Sequence, residues 1–354
     1  MRRLLQPLVL ASVIAATFGL VTAMAAPRRH PVARHHASAR HRHNQPRRRS
    51  TPRSPSSLTV NPFAGQELYV YPDGEPAQQA DRWRTSRPAD ARLMDRLAAQ
   101  PQAQWLVGSD YGASTVAELV NQALRAHAMP VLVVYNIPRR DCGSYSAGGA
   151  ASAAEYRAWI REVGRGLGQA RVAVIVEPDA LAGIGCLSSG DQRTRVGLLA
   201  DAIRALTAAD PNAGIYLDAG NSAWEPAGVM ARRLLDAGVS GARGFALNVS
   251  NFNTTAAEAV YGQRVLSAIG PGHGFVIDTS RNGNGPAPAN AWCNPGGRAL
   301  GQAPEAAPNL AGVDALLWVK APGESDGTCN GGPPAGDWWP EYALALAQRA
   351  GWTA

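Results

Sequence analysis

Val131-Leu-Val-Val-Tyr-Asn-Ile-Pro-Arg-Arg-Asp-Cys142 and Val172-Ala-Val-Ile-Val-Glu-Pro-Asp-Ala-Leu181 are built alike, an apolar run followed within a few residues by an aspartate. A short, unbroken apolar run rich in β-branched residues reads as a strand buried on both faces, as in parallel sheets. Each segment therefore delivers a carboxylate, Asp141 or Asp179, just past a strand end. Later runs deliver Asp218 in Leu217-Asp-Ala-Gly220 and Asp326 in Pro322-Gly-Glu-Ser-Asp-Gly327. Carboxylates converging on one rim of a parallel sheet are what acid/base cleavage of a polar polymer needs.

Outward from these segments, β-like runs recur at Leu68–Tyr71, Gln104–Val107, Gly214–Leu217, Gly244–Leu247, Phe275–Ile277 and Leu316–Val319. Amphipathic stretches separate most of them: Pro88–Gln100, Thr115–His127, Ala153–Leu167, Gln192–Ala208, Pro226–Ala237 and Ala256–Ile269. Strands alternating with helices mean βα units and a parallel sheet. Seven or eight such units in under 300 residues suit one closed or nearly closed α/β barrel, with a doubly wound open sheet as the alternative. In such barrels the active site lies at the carboxyl ends of the strands. Those ends carry Trp105, Tyr135, Asp141, Glu177, Asp179, Asp218, Asn248, Asp278, Lys320, Glu324 and Asp326.

The formal charge of +7 joins two unlike parts. Residues 1–57 hold eleven arginines and no acid, whereas the remainder holds 23 basic and 27 acidic residues and is mildly acidic. Such a body does not read as a nucleic-acid-binding domain. Residues 1–26 pair a basic start with an apolar stretch from Leu8 to Val21 and an Ala23-Met-Ala25 site, the layout of a secretory signal peptide; an uncleaved membrane anchor is the alternative. Residues 27–57, rich in Arg, His and Pro with almost no large apolar residue, read as a disordered basic linker. The globular catalytic body is expected over 58–354, in an exported chain. Its four cysteines, Cys142, Cys186, Cys293 and Cys329, suggest two disulfides; nearest-neighbour pairing is one of three connectivities.

The body keeps two histidines, His127 and His273, neither in a convincing catalytic or metal-binding motif, and no phosphate-cradling loop opens a helix. No metal or other cofactor is expected. Two positioned carboxyl groups, one protonated and one ionised, suffice for glycosidic hydrolysis. Asp141 and Asp179 leave adjacent strands, so their mutual repulsion is expected to keep one of them protonated. Tryptophan supports a sugar substrate, since pyranose faces stack on indole rings: nine tryptophans stand beside five phenylalanines. Trp105, Trp224 and Trp292 are the expected platforms, while Trp159 and Trp338 read as helical packing residues and Trp318 as a filler of the barrel. Lys320 is the single lysine, a compact donor suited to sugar hydroxyls or to a nearby carboxylate.

Taken together, Val134-Tyr-Asn-Ile-Pro-Arg-Arg-Asp-Cys142, Val176-Glu-Pro-Asp179, Leu217-Asp-Ala-Gly220, Ile277-Asp-Thr-Ser-Arg-Asn-Gly-Asn-Gly-Pro286, Trp292-Cys293 and Trp318-Val-Lys-Ala-Pro-Gly-Glu-Ser-Asp-Gly327 resemble glycoside hydrolase family 6, the inverting β-1,4-glucanases. The resemblance runs from about Leu68 to the C-terminus. It implies a distorted, incomplete TIM-like parallel barrel with a substrate cleft at the C-terminal ends of the strands, and a cellulose-like β-1,4-glucan as substrate. It makes Asp179 the general acid, Asp141 its partner in proton and water control, and Asp326 the candidate base. Tyr135 would crowd the reacting sugar, Lys320 and Glu324 would bind hydroxyls, and Asp218 would support. It also implies the disulfides Cys142–Cys186 and Cys293–Cys329. No protein partner is implied, and a membrane only if the N-terminal segment stays uncleaved. Where the family usually has histidine after Leu-Asp-Ala-Gly, this chain has Asn221, which leaves the leaving-side contacts open.

The segment Thr328–Asp337 is ten residues long and rich in Gly and Pro, too short to arch over a cleft, so endo attack on internal bonds is expected. The alternatives are an exo-acting cellobiohydrolase, a glucan-binding protein that has lost catalysis, and a retaining hydrolase using Glu177 and Glu324.

Overall fold

The computed structural model describes residues 60–108 and 110–354; the expected signal peptide and basic linker lie outside the described residues. The described chain forms one eight-stranded sheet wrapped by helices. Its strands are β1 (Gln104–Leu106), β2 (Val131–Val134), β3 (Ala173–Val176), β4 (Gly214–Asp218), β5 (Gly244–Leu247), β6 (Gly274–Asp278), β7 (Glu305–Ala306) and β8 (Val313–Leu317). The order is β1-β2-β3-β4-β5-β6-β8-β7, parallel except for the β7–β8 pair. The helices are α1 (Glu75–Trp83), α2 (Pro88–Ala98), α3 (Ala113–Arg125), α4 (Ala153–Leu167), α5 (Ser189–Ala209), α6 (Ala227–Asp236), α7 (Thr255–Ile269) and α8 (Pro340–Arg349). This is the expected incomplete barrel: β1 and β8 do not pair, and their seam is crossed by Ala103 N–H to the Trp318 carbonyl (3.0 Å) and by the Trp105 indole N–H to the Val319 carbonyl (2.8 Å).

Period-two alternation sorts the strand residues into two cores. Val131, Val133, Ala173, Ile175, Tyr216, Ala246, Val276 and Leu317 fill the barrel interior. Leu132, Val134, Val174, Val176, Leu217, Phe245 and Ile277 face the helices, where they meet Trp159, Ile160 and Val163 of α4 and Leu198 and Leu206 of α5. Because both faces are covered, the strands read as unbroken apolar runs. The long helices start where the sequence supplies a cap: the Ser152, Ser188 and Thr254 side chains accept from the backbone N–H three residues on.

Several expectations are corrected. Leu68–Tyr71 is not a strand; Leu68 forms an isolated bridge to Met129, because the chain only brushes the barrel there. The last parallel strand is Val313–Leu317 rather than Leu316–Val319, since beyond Leu317 the backbone turns its N–H groups to the Asp278 carboxylate. Trp318 does not fill the barrel. Leu317 and Val319 point inward, so alternation sends Trp318 outward, where it packs with Leu93, Met94 and Leu97 of α2, Leu346 of α8, and Trp352. Trp338 precedes α8 rather than lying in a helix; it pairs through an isolated bridge with Glu324. Trp159 is buried in α4 as expected.

Candidate active site

A cleft of about 930 Å³ lies at the carboxyl ends of the strands. Its walls include Trp105, Tyr135, Asp141, Asp179, Asn221, Trp224, Trp292, Lys320, Glu324 and Asp326, all singled out in the sequence. Asp218 and Asn248 do not line it. Both are buried: Asp218 accepts the N–H groups of Asp179 (2.9 Å) and Gly220 (3.0 Å), and Asn248 donates to the carbonyls of Asn253 and Asp278. Both strand-end residues therefore stand behind the wall rather than on it. Asp278 likewise accepts from Ser250, Ser280, Val319 and Lys320, tying the ends of β5, β6 and β8 together.

Two buried, oppositely charged side chains grip the segment that leads to Asp141. The Glu177 carboxylate accepts from Asn136 N–H and Ile137 N–H (2.9 Å to the latter), and the Arg195 guanidinium donates to the carbonyls of Pro138 and Arg139 (2.9 and 2.7 Å). Arg140 donates to the Tyr135 and Ser146 carbonyls and lies over the Tyr135 ring. Held this way, Arg139, Asp141, Cys142, Glu177 and Asp179 all keep φ between +51° and +68°. Such backbone costs about 1–3 kcal/mol per residue and gathers at functional sites. Glu177 is sealed behind the cleft wall, which removes it as a nucleophile.

Both expected disulfides are formed, Cys142–Cys186 next to Asp141 and Cys293–Cys329 next to Trp292. The loops after β2, β6 and β8 meet where Tyr145 and Trp292 lie edge to face, with ring centroids 6.1 Å apart. Gly327 makes that meeting possible: at φ +149°, a Cβ there would come within 2.3 Å of the Tyr145 ring. Trp105 stands edge-on to Tyr135 at 5.3 Å, so the indole bonded across the seam also braces the tyrosine.

Four carboxylates define the electrostatics. Burial first, then the charges of Asp218, Asp141 and Asp326, hold the Asp179 carboxyl well above the usual range. Asp141 thus contributes as expected, but Asp218 is the larger neighbour. Burial pushes Asp218 itself up to about 7. Burial raises Asp141 too, against the opposing effect of the Ser146 N–H, which donates to it at 2.7 Å. Asp326 differs in kind. Arg281, fully buried, grips it with two hydrogen bonds (2.9 and 3.0 Å), and Asn294 N–H adds a third (3.0 Å). A carboxylate has about four acceptor positions, so roughly one is left for a water. Lys320 pairs with Glu324 at 3.3 Å and donates to the Ser325 carbonyl.

Sequence reasoning missed Arg281, Arg195 and Tyr145. Arg281 stood inside a quoted motif, but its partner lies 45 residues away and nothing local announces the pair.

The sequence profile of Glycosyl hydrolases family 6 matches residues 63–350. Endoglucanase A of Cellulomonas fimi is 46% identical over 283 residues, covering 78% of this chain and 61% of that relative. Endoglucanase 1 of Streptomyces sp. (strain KSM-9) is 43% identical over 273 residues, covering 75% of each. The solved structure of endoglucanase Cel6 from Mycobacterium tuberculosis, in complex with methyl-cellobiosyl-4-deoxy-4-thio-β-D-cellobioside, superposes with a TM-score of 0.78 at 47% identity over 83% of this chain and 100% of its own. The chain spans about three fifths of the Cellulomonas protein.

Proposed function

Since the chain belongs to glycosyl hydrolase family 6, we propose that it is an exported endo-β-1,4-glucanase that cleaves internal bonds of cellulose-like glucan with inversion. The observation that carries this reading is Asp179: a carboxyl whose pKa is raised by burial and three neighbouring carboxylates, on the wall of a cleft lined by aromatic rings. Asp179 donates its proton to the glycosidic oxygen as the bond to the anomeric carbon breaks. A water adds to that carbon from the opposite face and gives up a proton, directly or through a second water, toward Asp326. Asp326 is too fully hydrogen-bonded to serve as a nucleophile, and Glu177 is sealed away, which favours inversion over a covalent intermediate. Tyr135 and Trp105 flank the reacting sugar, Trp224 and Trp292 offer exposed faces, and Lys320 with Glu324 meets hydroxyl groups.

Endo attack has its own support. The segment Thr328–Asp337 folds back on its own stem, Ser325 N–H donating to the Asp337 carbonyl and Gly336 N–H to the Ser325 carbonyl, both at 2.9 Å, and it lends only Ala335 and Gly336 to the cleft wall. The three relatives described above are endoglucanases, which agrees with this reading. Viscosity of a soluble cellulose derivative should fall steeply while few reducing ends appear, and proton NMR should find the first new ends as α-anomers. Slow viscosity loss with cellobiose dominant from the start would reject endo action, and β-anomers would reject inversion.

The order of electrostatic causes gives a second test. Asp179 must be protonated to act, so its loss of a proton sets the alkaline limb of the kcat/KM profile. Asp218→Asn removes the larger neighbouring charge and lowers the Asp179 pKa, moving that limb to lower pH. Asp141→Asn should move it the same way by less. A limb that stays in place in Asp218→Asn would separate Asp218 from the acid.

A further inference from the structure

We propose that Asn221 is a fixed hydrogen-bond donor to the leaving sugar, and that Asn253, anchored on Glu258, is the positioning residue that holds it in that sense. This rests on the glucanase reading and gives the leaving side of the cleft its specificity. Strand order puts Trp105 (β1) and Tyr135 (after β2) on one side of Asp179 (after β3) and Asn221 and Trp224 (after β4) on the other, so a reacting ring beside Tyr135 would leave the departing sugar on the Asn221 side.

An asparagine amide is ambiguous only when its neighbours are. Here they are not. The Oδ1 of Asn221 accepts from Ala223 N–H (3.0 Å), and a backbone N–H has no other role than donor. The same oxygen accepts from Asn253 Nδ2 (2.9 Å). Asn253 is fixed in turn: its side chain also hydrogen-bonds Glu258, a buried carboxylate at the start of α7 whose two oxygens take Ser222 N–H (2.9 and 3.2 Å). The Asn253 backbone is locked too, its N–H on Asn248 Oδ1 and its carbonyl on Asn248 Nδ2 and Asn282 Nδ2. In both bonds the Asn221 amide oxygen is the acceptor. Both lone-pair directions of Asn221 Oδ1 are used, so the group left for the cleft is its NH₂. An amide does not titrate near neutrality, so this donor keeps its sense across the pH range in which an imidazole would change charge.

The test compares two substrates for each variant: a cello-oligosaccharide, which has sugar on the leaving side, and an aryl β-cellobioside, which has none. One neutral hydrogen bond predicts that Asn221→Ala lowers the oligosaccharide-to-aryl ratio of kcat/KM about tenfold. Asn221→Asp, the same shape without donors, should lower it as much. Asn253→Ala should lower the ratio in the parent but add nothing in the Asn221→Ala background, the signature of a residue acting through another. Equal losses on both substrates, or an unchanged ratio, would overturn the donor role; additive losses would overturn the positioning role. Calorimetry with cellotetraose in the Asp179→Ala background reads the same contact as affinity, about tenfold weaker with Asn221→Ala. Affinity that does not depend on Asn221 would overturn the donor, whereas Asn221-dependent binding by a parent that cannot hydrolyse would count against the hydrolase reading alone.

Discussion

Asp179→Ala should lower turnover of unmodified β-1,4-glucan at least about a hundredfold, the lower end of what a positioned general acid supplies. The fold should survive, because the Asp179 side chain stands on the cleft wall rather than in either core and its backbone N–H, which Asp218 accepts, remains in alanine. The loss should shrink on a substrate whose aryl leaving group departs without protonation, since the proton is then no longer part of the barrier. Steady-state rates on a natural oligosaccharide and a dinitrophenyl cellobioside separate the cases. An equal loss on both would mean that Asp179 shapes the site rather than protonates the leaving oxygen, and full activity on glucan would remove it from catalysis.

Asp326→Asn should be the most destabilising change in the site. It leaves the Arg281 guanidinium, wholly buried, without its counter-charge. Breaking a buried pair from one side costs about 3–5 kcal/mol, whereas replacing both members is often near neutral. Arg281→Met combined with Asp326→Asn should therefore recover much of the denaturation midpoint lost by the single variant. Activity should not return with it, if Asp326 takes part in handling the water. A stable, active double variant would reduce Asp326 to a structural counter-ion for Arg281; a double variant no more stable than the single would show that the pair is not what holds these loops.

The residues that were legible are those whose local text carries their position. In Val176-Glu-Pro-Asp179 the strand end and the aspartate are three residues apart, so naming the strand names the rim. Polar identity at a strand end does not say which side of the wall a side chain takes. Asp218 and Asp278 end their strands as rim residues should, yet both turn back to collect backbone N–H groups. Arg281 and Tyr145 are defined by partners in other loops, which no window of sequence contains. The strand β7, two residues long, is too short to leave a pattern. Helix α8, absent from the expected elements, did leave one that went unread: Pro340 at its first position and Glu341 in its first turn follow the ordinary rule for a helix start.

A sheet that stops short of closing keeps two edges, and an exposed edge invites another chain to add a strand. Here the edge strands are three and two residues long, about 10 and 7 Å at ~3.3 Å per residue. That is less than a foreign strand needs to find a register. Next to β1, the carbonyls of Trp318 and Val319 are already taken by Ala103 and the Trp105 indole. Among the described residues, the unclosed barrel therefore offers a foreign strand little free edge backbone to pair with.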